Sequence, residues 1–244
     1  MIIVIPARAA SYRLPNKPLR IIGGKPIIQH TYERAAQAAS ANRIVIATDA
    51  PEVEEVCRQF GAETAMTYAN LANGTERVAD LVKRLDLPLS EVIINVQGDK
   101  FEVDPLAIDE IYQYAKECLV HNRHRTLFCM HEEFQSSSEI DDPGIVKVIT
   151  SKDDRALYFT RVGLPAAKRH CGIYAYYPTF LDAYTMLTNR ELEKQEGLEQ
   201  MRVLENGMTA YCPRLTSCKT SGRAINTPQD FDNAVTRYTK EEET

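Results

Sequence analysis

The 244-residue chain has no C-x-x-C pair and no closely spaced histidines around its six cysteines at 57, 118, 129, 171, 212 and 218. It therefore offers neither a readable zinc site nor a disulfide framework, and buried free thiols are the expectation. It also lacks a basic excess. Twenty-nine Lys and Arg stand against 34 Asp and Glu, a net charge of -5, which excludes nucleic acid as the main partner and requires any bound phosphate to be held locally. No basic residue precedes the opening apolar run Met1-Ile5, which is too short for a signal core or a bilayer span, so a cytoplasmic protein without membrane attachment is expected. There is no internal repeat, no Gly-x4-Gly-Lys and no Gly-x-Gly-x-x-Gly, so neither a Walker A loop nor a dinucleotide fingerprint is present.

At 44% hydrophobic and 26% charged residues the composition is that of an ordinary globular protein able to bury a core. With roughly 150 residues per domain, one domain with an annex is expected. Apolar runs at Ile2-Ile5, Ile44-Ala47, Glu63-Met66 and Val92-Val96 alternate with amphipathic stretches at Pro26-Ala39, Glu52-Phe60, Glu76-Leu85 and Pro105-Leu119. Short two-sided apolar strands separated by helices of about 10 to 15 residues mark βαβ units, hence a doubly wound α/β fold. Beyond residue 122 the rhythm changes. Thr126-His131, Val146-Ile149, Leu157-Thr160 and Cys171-Tyr176 read as strands of a smaller α+β annex on a mixed sheet, with helices at Thr179-Leu187 and Leu198-Glu205. A last helix, Pro228-Tyr238, begins with Thr227 as N-cap, Pro228 first and Asp230 third.

Ligands of such folds lie beyond the carboxyl ends of the strands, which directs attention to Pro6-Lys17, Thr48-Asp49, Thr67-Arg77 and Gln97-Asp99. Arg8, Arg13 and Lys17 place three cations after the first strand, and small residues at Ala7, Ala9 and Ala10 with the Ser11 hydroxyl suit a triphosphate cradle. Asp99, after Gln97 and Gly98, offers a carboxylate to Mg²⁺, which binds through one or two carboxylates and phosphate oxygens. Arg77 lies in the first turn of a helix whose N-terminus attracts anions. Each has a plainer alternative: a solvated basic loop, a turn-capping Asp, and a helix start capped by Thr75. His170, Gly172 and Tyr174 alternate onto one strand face, whereas His30, His121, His124 and His131 read as structural.

Taken together these segments resemble the CMP-Kdo synthetases, the 3-deoxy-manno-octulosonate cytidylyltransferases. The matches are Ile-Pro-Ala-Arg-x2-Ser-x-Arg-Leu-Pro-x-Lys-Pro-Leu from Ile5, Gly-Lys-Pro-Ile-Ile-Gln-His from Gly24, Ala-Thr-Asp at 47-49, Gly-Thr-Glu-Arg at 74-77 and Asn-Val-Gln-Gly-Asp at 95-99. They continue with Val-Lys-Val at 146-148, Ala-Leu-Tyr-Phe-Thr-Arg at 156-161, His-x-Gly-Ile-Tyr-Ala-Tyr at 170-176 and Leu-Glu-Gln-Met-Arg-Val-Leu-Glu-Asn-Gly at 198-207. The resemblance implies a Rossmann-like nucleotide-diphospho-sugar transferase fold. It implies a single cytidylyltransferase domain with a nucleotide-binding half at 1-122, an acceptor-binding and dimerisation annex at 123-225, and a C-terminal helix at 226-244 returning to the core. The implied reaction is Mg²⁺-dependent attack of a sugar-acid hydroxyl on the α-phosphorus of CTP, in a homodimer whose partners are CTP and a small acidic acceptor. Ala7, Arg8, Ser11, Arg13, Lys17, Arg77, Gln97 and Gly98 would surround the nucleotide, with Arg8, Lys17 and Asp99 catalytic. Lys100, Arg161, His170, Tyr174, Glu199 and Gln200 would line the acceptor pocket, and Asp99 and Asn226 would hold the metal.

The chain departs from the family pattern at three places. The usual Val-Asp-Thr-Pro is Ile225-Asn226-Thr227-Pro228, which gives an amide where the second metal carboxylate stands. Gln-Gly-Asp-Glu-Pro is Gln97-Gly98-Asp99-Lys100-Phe101, and the connection between Pro165 and His170 is short. A cytidylyltransferase for a different or smaller acid, such as another sugar acid or a phosphonate, and a weakly active nucleotide-binding relative are the competing readings. A nucleotide-sugar synthetase using a sugar phosphate ranks below them, since its usual Gly-rich opening loop is missing.

Overall fold

The structure, a computed structural model, describes residues 1–8, 14–119, 125–188 and 191–242. The first half runs β1 (Ile2–Ala7), a hairpin of β2 (Ile21–Ile22) and β3 (Lys25–Pro26), α1 (Ile27–Ala35), β4 (Arg43–Thr48), α2 (Pro51–Gln59), β5 (Glu63–Met66), α3 (Gly74–Val82), β6 (Ile93–Val96) and α4 (Pro105–Leu119). The second runs β7 (Thr126–Phe128), β8 (His131–Glu132), α5 (Ser138–Asp141), β9 (Lys147–Thr150), β10 (Ala156–Thr160), β11 (Lys168–His170), β12 (Ile173–Tyr176), α6 (Pro178–Thr185), α7 (Glu191–Glu196), α8 (Glu199–Glu205), β13 (Thr209–Tyr211) and α9 (Pro228–Glu242).

Seven strands form one mixed sheet in the order β13-β7-β12-β6-β1-β4-β5. Every residue of β1 is buried because the sheet is covered on both faces. Ile3 and Ile5 face the cluster that holds Ile28 of α1, Val53 of α2 and Ile108 of α4. Ile2 and Val4 face the cluster that holds Val78 of α3 and Phe180 of α6. The parallel register Ile2↔Arg43 and Ile2↔Ile93 aligns the carboxyl ends of β1, β4 and β6 along one edge. Strand β12 runs the other way beside β6, with Tyr174 opposite Asn95, so its beginning lies at that same edge.

The second sheet, in the order β10-β9-β11-β8, is antiparallel. The chain crosses between the sheets twice, and here the sequence expectation needs correction. Thr126-His131 is split between β7 in the large sheet and β8 in the small one. His170 ends β11, and Gly172, in the left-handed region at φ 68°, turns the chain before β12 begins. That turn breaks the simple alternation expected for His170, Gly172 and Tyr174. Three strands from the expected annex thus complete the large sheet, and α6 and α8 pack on it too, so residue 122 is no boundary between sheets.

Helix α9 returns to the β2–β3 hairpin through a cluster of Ile22, Phe101, Ile225 and Ala234 with Phe231 and Tyr238 packed against it. Its start is a capping box: the Asp230 amide donates to Thr227 Oγ1 (3.1 Å), while Asp230 Oδ2 accepts from the Thr227 amide (2.8 Å). The cysteines are all free, and all but Cys218 are buried. No helix among the described residues is long and apolar enough to cross a membrane.

Candidate active site

The edge where β1, β4 and β6 end opens into a cavity of about 1270 Å³. Every expected site residue that the structure describes lines it, from Arg8, Lys17 and Asp99 to His170, Tyr174 and Gln200. Ser11 and Arg13 lie outside the described residues.

The Lys17–Asp99 part of the cavity is built on a contact between two strand tips. Gly98 donates its amide to the Pro6 carbonyl (3.3 Å), and a Cβ at Gly98 would stand 2.7 Å from that oxygen, so only glycine lets β6 approach β1 this closely. Ala7, buried, ends β1 beside it. Lys17 opens a 3-10 turn and extends Nζ to Asp99 Oδ2 (2.5 Å) and to the Ile225 carbonyl (2.9 Å). The Ile225 amide in turn donates to the Asp99 carbonyl (2.9 Å), which sets Asn226 next to the Asp99 turn. Arg8 is exposed and reaches the Ala72 carbonyl at 3.4 Å.

Two expectations about α3 are corrected. Its cap is Asn73, whose Oδ1 accepts from the Glu76 amide (2.9 Å); the Thr75 hydroxyl instead bonds the Tyr176 hydroxyl (2.8 Å). Nor is the helix start open to a substrate anion, because Glu199 Oε2 accepts from the Thr75 amide (3.0 Å). Glu199 Oε1 also accepts from Gln97 Nε2 (3.3 Å). Burial holds the Glu199 carboxyl above its usual range, against the opposing Thr75 hydrogen bonds. Arg77 is buried, and its guanidinium is committed to protein groups: Asp49 Oδ2 (2.9 Å), the Thr67 hydroxyl and the Tyr68 carbonyl (3.3 Å). It braces the cavity wall between β4 and α3.

Around β12, Gln200 Nε2 donates to the Tyr174 hydroxyl, and the His170 ring lies 5.5 Å from that of Tyr174. His170 Nε2 and Gln200 Oε1 are buried without a hydrogen-bond partner among the described residues. A buried polar atom left unpaired is costly, so such atoms on a cavity wall mark a place for a ligand's own donors and acceptors. Burial, followed by the charge of Lys100 and then of His131 and Arg169, pushes the His170 imidazole down to about 3, so it is neutral at physiological pH. Arg161 donates from a terminal guanidinium nitrogen to the Pro143 carbonyl (2.9 Å) on the rim. Lys100 differs from the expectation that it contacts the acceptor. Its ammonium is 5% exposed and donates to the Cys171 carbonyl, Ser221 Oγ (3.1 Å) and the Gly222 carbonyl (3.4 Å), which uses all three of its protons.

Residues that the motif reading left unassigned hold this arrangement. Arg202 joins Glu193 through Nε (2.6 Å) and Nη2 (2.8 Å) and Glu76 through Nη1 (2.7 Å), tying α8, with Glu199 and Gln200, to α3 and α7. Its position three residues after Glu199 was the available signal, since it shares that helical face. Glu132, which binds Arg169, the Ser221 amide (2.6 Å) and Thr220 Oγ1 (3.2 Å), gave no local signal.

The described residues contain no group of three His, Cys, Asp or Glu side chains able to hold a metal. Mg²⁺ does not require one when substrate phosphates complete its shell. Asp99 pairs with Lys17 through Oδ2; the Asn226 backbone amide donates to Asp230 Oδ2 (2.9 Å), while the Asp99 Oδ1 and the Asn226 side-chain amide have no hydrogen bond to a described residue. One carboxylate and one amide oxygen on the same cavity fit such a cation.

Known proteins resemble this chain over most of its length. A family model described as cytidylyltransferase matches residues 2–210. The 3-deoxy-manno-octulosonate cytidylyltransferase of Haemophilus influenzae (strain 86-028NP) is 39% identical over 224 residues, covering 84% of this chain and 86% of that protein. That of Vibrio cholerae serotype O1 (strain M66-2) is 37% identical over 245 residues, covering 94% of each. A solved CMP:2-keto-3-deoxy-manno-octonic acid synthetase complexed with CTP superposes with a TM-score of 0.82 at 31% identity over 98% of both chains. The family match, the identities and the superposition agree, and the chain belongs to the CMP-Kdo synthetase family of cytidylyltransferases, enzymes of the nucleotidyltransferase class.

Proposed function

We propose that this enzyme moves CMP from CTP to the hydroxyl of a 3-deoxy-manno-octulosonate-type sugar acid and releases pyrophosphate. The observation that carries the proposal is that the Lys17–Asp99 pair and the His170–Tyr174–Gln200 group share one cavity. The acceptor oxygen forms its bond to the α-phosphorus as the bond to the bridging oxygen of pyrophosphate breaks, and the acceptor's proton passes to solvent. Arg8 and Lys17 neutralise the triphosphate, Gln97 and Gly98 shape its floor, and Glu199 links the nucleotide end to the acceptor end through Gln97. Neutral His170 and the Gln200 amide meet acceptor hydroxyls. Asp99 and Asn226 would hold Mg²⁺, which when bound draws charge from the phosphate oxygens.

A more anionic acceptor loses its main support once Lys100 is seen to spend its protons on protein oxygens. The test is pyrophosphate release from each of the four nucleoside triphosphates, with 3-deoxy-manno-octulosonate, other sugar acids and phosphonates as acceptors and mass analysis of the product. Release with CTP and the sugar acid alone supports the proposal. CTP binding without release under any acceptor makes the chain a nucleotide-binding relative.

A further inference from the structure

Lys100 stands where the family pattern has an acid, and the transfer reaction gives it no direct task. Its three oxygen partners lie on two segments remote in sequence: Cys171, in the turn between β11 and β12, and Ser221–Gly222, in the stretch leading to Asn226. The second segment is fixed to the Asp99 turn by a short ladder. The Asp104 amide donates to the Ser221 carbonyl (3.1 Å), Glu102 to Arg223 (3.4 Å) and Ile225 to Asp99 (2.9 Å). Gly222, at φ 96°, packs so tightly that a Cβ would fall 1.9 Å from the Glu102 carbonyl oxygen.

The His170 turn, by contrast, is tied by its backbone amides to the far side. His170 donates to Val146 and Cys171 to Met130, each at 2.9 Å. The Lys100 ammonium and the weaker Ser221 Oγ contact (3.4 Å) connect its Cys171 carbonyl to the Asp99 half of the site. The Lys100 ammonium thus acts beside a second tie, in which Glu132 joins Arg169 of β11 to the Ser221 amide (2.6 Å) and Arg169 reaches Thr220 Oγ1 (3.4 Å); of the two, only the lysine holds the carbonyl that follows His170.

We infer that Lys100 is a positioning residue for the acceptor: by pinning Cys171 to Ser221–Gly222 it fixes His170 relative to the Asp99–Asn226 end. This rests on the reading that His170, Tyr174 and Gln200 receive the acceptor. The charge of Lys100 also helps keep His170 neutral, but the positioning follows from the three bonds.

Steady-state kinetics of Lys100→Met, Lys100→Arg and Ser221→Ala test it, with 3-deoxy-manno-octulosonate and CTP varied separately. Loss of the buried hydrogen bonds in Lys100→Met should raise the acceptor KM about tenfold or more while the CTP KM stays within about twofold. Lys100→Arg, which can still donate, should recover part of that loss. Ser221→Ala removes one partner without emptying the site and should move the acceptor KM about threefold in the same direction, so it decides the matter if Lys100→Met does not fold. Equal rises in both KM values, or a lowered Tm with both KM values unchanged, overturns the inference. If the wild type uses no acceptor, the proposed function fails separately. The ¹H–¹³C signal of the His170 ring then decides: displacement in Lys100→Met and return in Lys100→Arg support the positioning role, and an unmoved signal in Lys100→Met overturns it.

Discussion

Lys17 Nζ lies 2.5 Å from Asp99 Oδ2 across 82 residues of sequence, closing the gap between the loop after β1 and the turn after β6. The pair is only partly buried, at 14% and 23% side-chain exposure, so both groups remain within reach of a ligand. Without nucleotide the lysine balances the carboxylate. On the proposed function, the same two groups would turn to opposite charges on a metal-laden triphosphate.

Lys17→Met should therefore weaken CTP binding without dismantling the fold. A hydrogen bond to a charged group contributes about 1.5 to 3 kcal/mol, which corresponds to a rise of about 10- to 100-fold in the dissociation constant for CTP by calorimetry. Asp99→Asn should lower pyrophosphate release by about 100-fold or more while leaving the circular dichroism spectrum intact. An Asp99→Asn enzyme with wild-type turnover would remove Asp99 from the chemistry.

On the proposed function, Asn226 would supply the metal an oxygen without a charge, which would leave affinity to Asp99 and the phosphates. Asn226→Asp adds the second carboxylate beside the Asp99 turn, to which Ile225 is already bonded. The Mg²⁺ concentration giving half-maximal pyrophosphate release should fall about fivefold or more. An unchanged or higher midpoint would show that position 226 does not meet the metal.

Arg202 is 4% exposed and bridges two carboxylates, Glu193 and Glu76. Removing one member of a buried ionic group strands its partners, at a cost of about 3 to 5 kcal/mol. Arg202→Met should show that loss in urea unfolding. A loss below about 1 kcal/mol, the usual worth of an exposed pair, would mean that water reaches the network.

What could be read in advance follows the range of the forces involved. The strand Ile2-Ile5 was legible because burial on both faces demands an uninterrupted apolar run, and the Thr227–Asp230 cap because its partners are three residues apart. Gln97-Gly98-Asp99 could be placed by its position after a strand. The occupant of the α3 N-terminus could not: Glu199 lies 124 residues from Thr75, and nothing local to either signals the pairing. The Arg77–Asp49 pair was hidden for the same reason, since the two residues lie 28 apart on different elements. The split of Thr126-His131 was hidden because the apolar run Leu127-Met130 continues from β7 to the start of β8 with no Gly or Pro to mark the crossing, and β13, three residues long, is too short to show a period.

The His170 environment makes acid stability a sharp test. The ring is buried against Phe159 and Tyr174, with Lys100, His131 and Arg169 the charged or titratable groups that disfavour its protonation. Its folded value, about 3, lies below the usual 6.5, so between these limits the unfolded chain binds the extra proton. Stability from this group is full above pH 6.5 and is lost as pH falls toward 3. One proton corresponds to about 1.4 kcal/mol per pH unit, so roughly 2 to 3 kcal/mol should disappear between about pH 6.5 and pH 4.5. His170→Gln keeps a polar ring-sized group that cannot titrate, and its unfolding free energy should fall less steeply over that range. His131, which burial also holds low, leaves a residual slope of the same sign. Parallel curves for wild type and His170→Gln would mean that His170 takes up its proton while the protein remains folded.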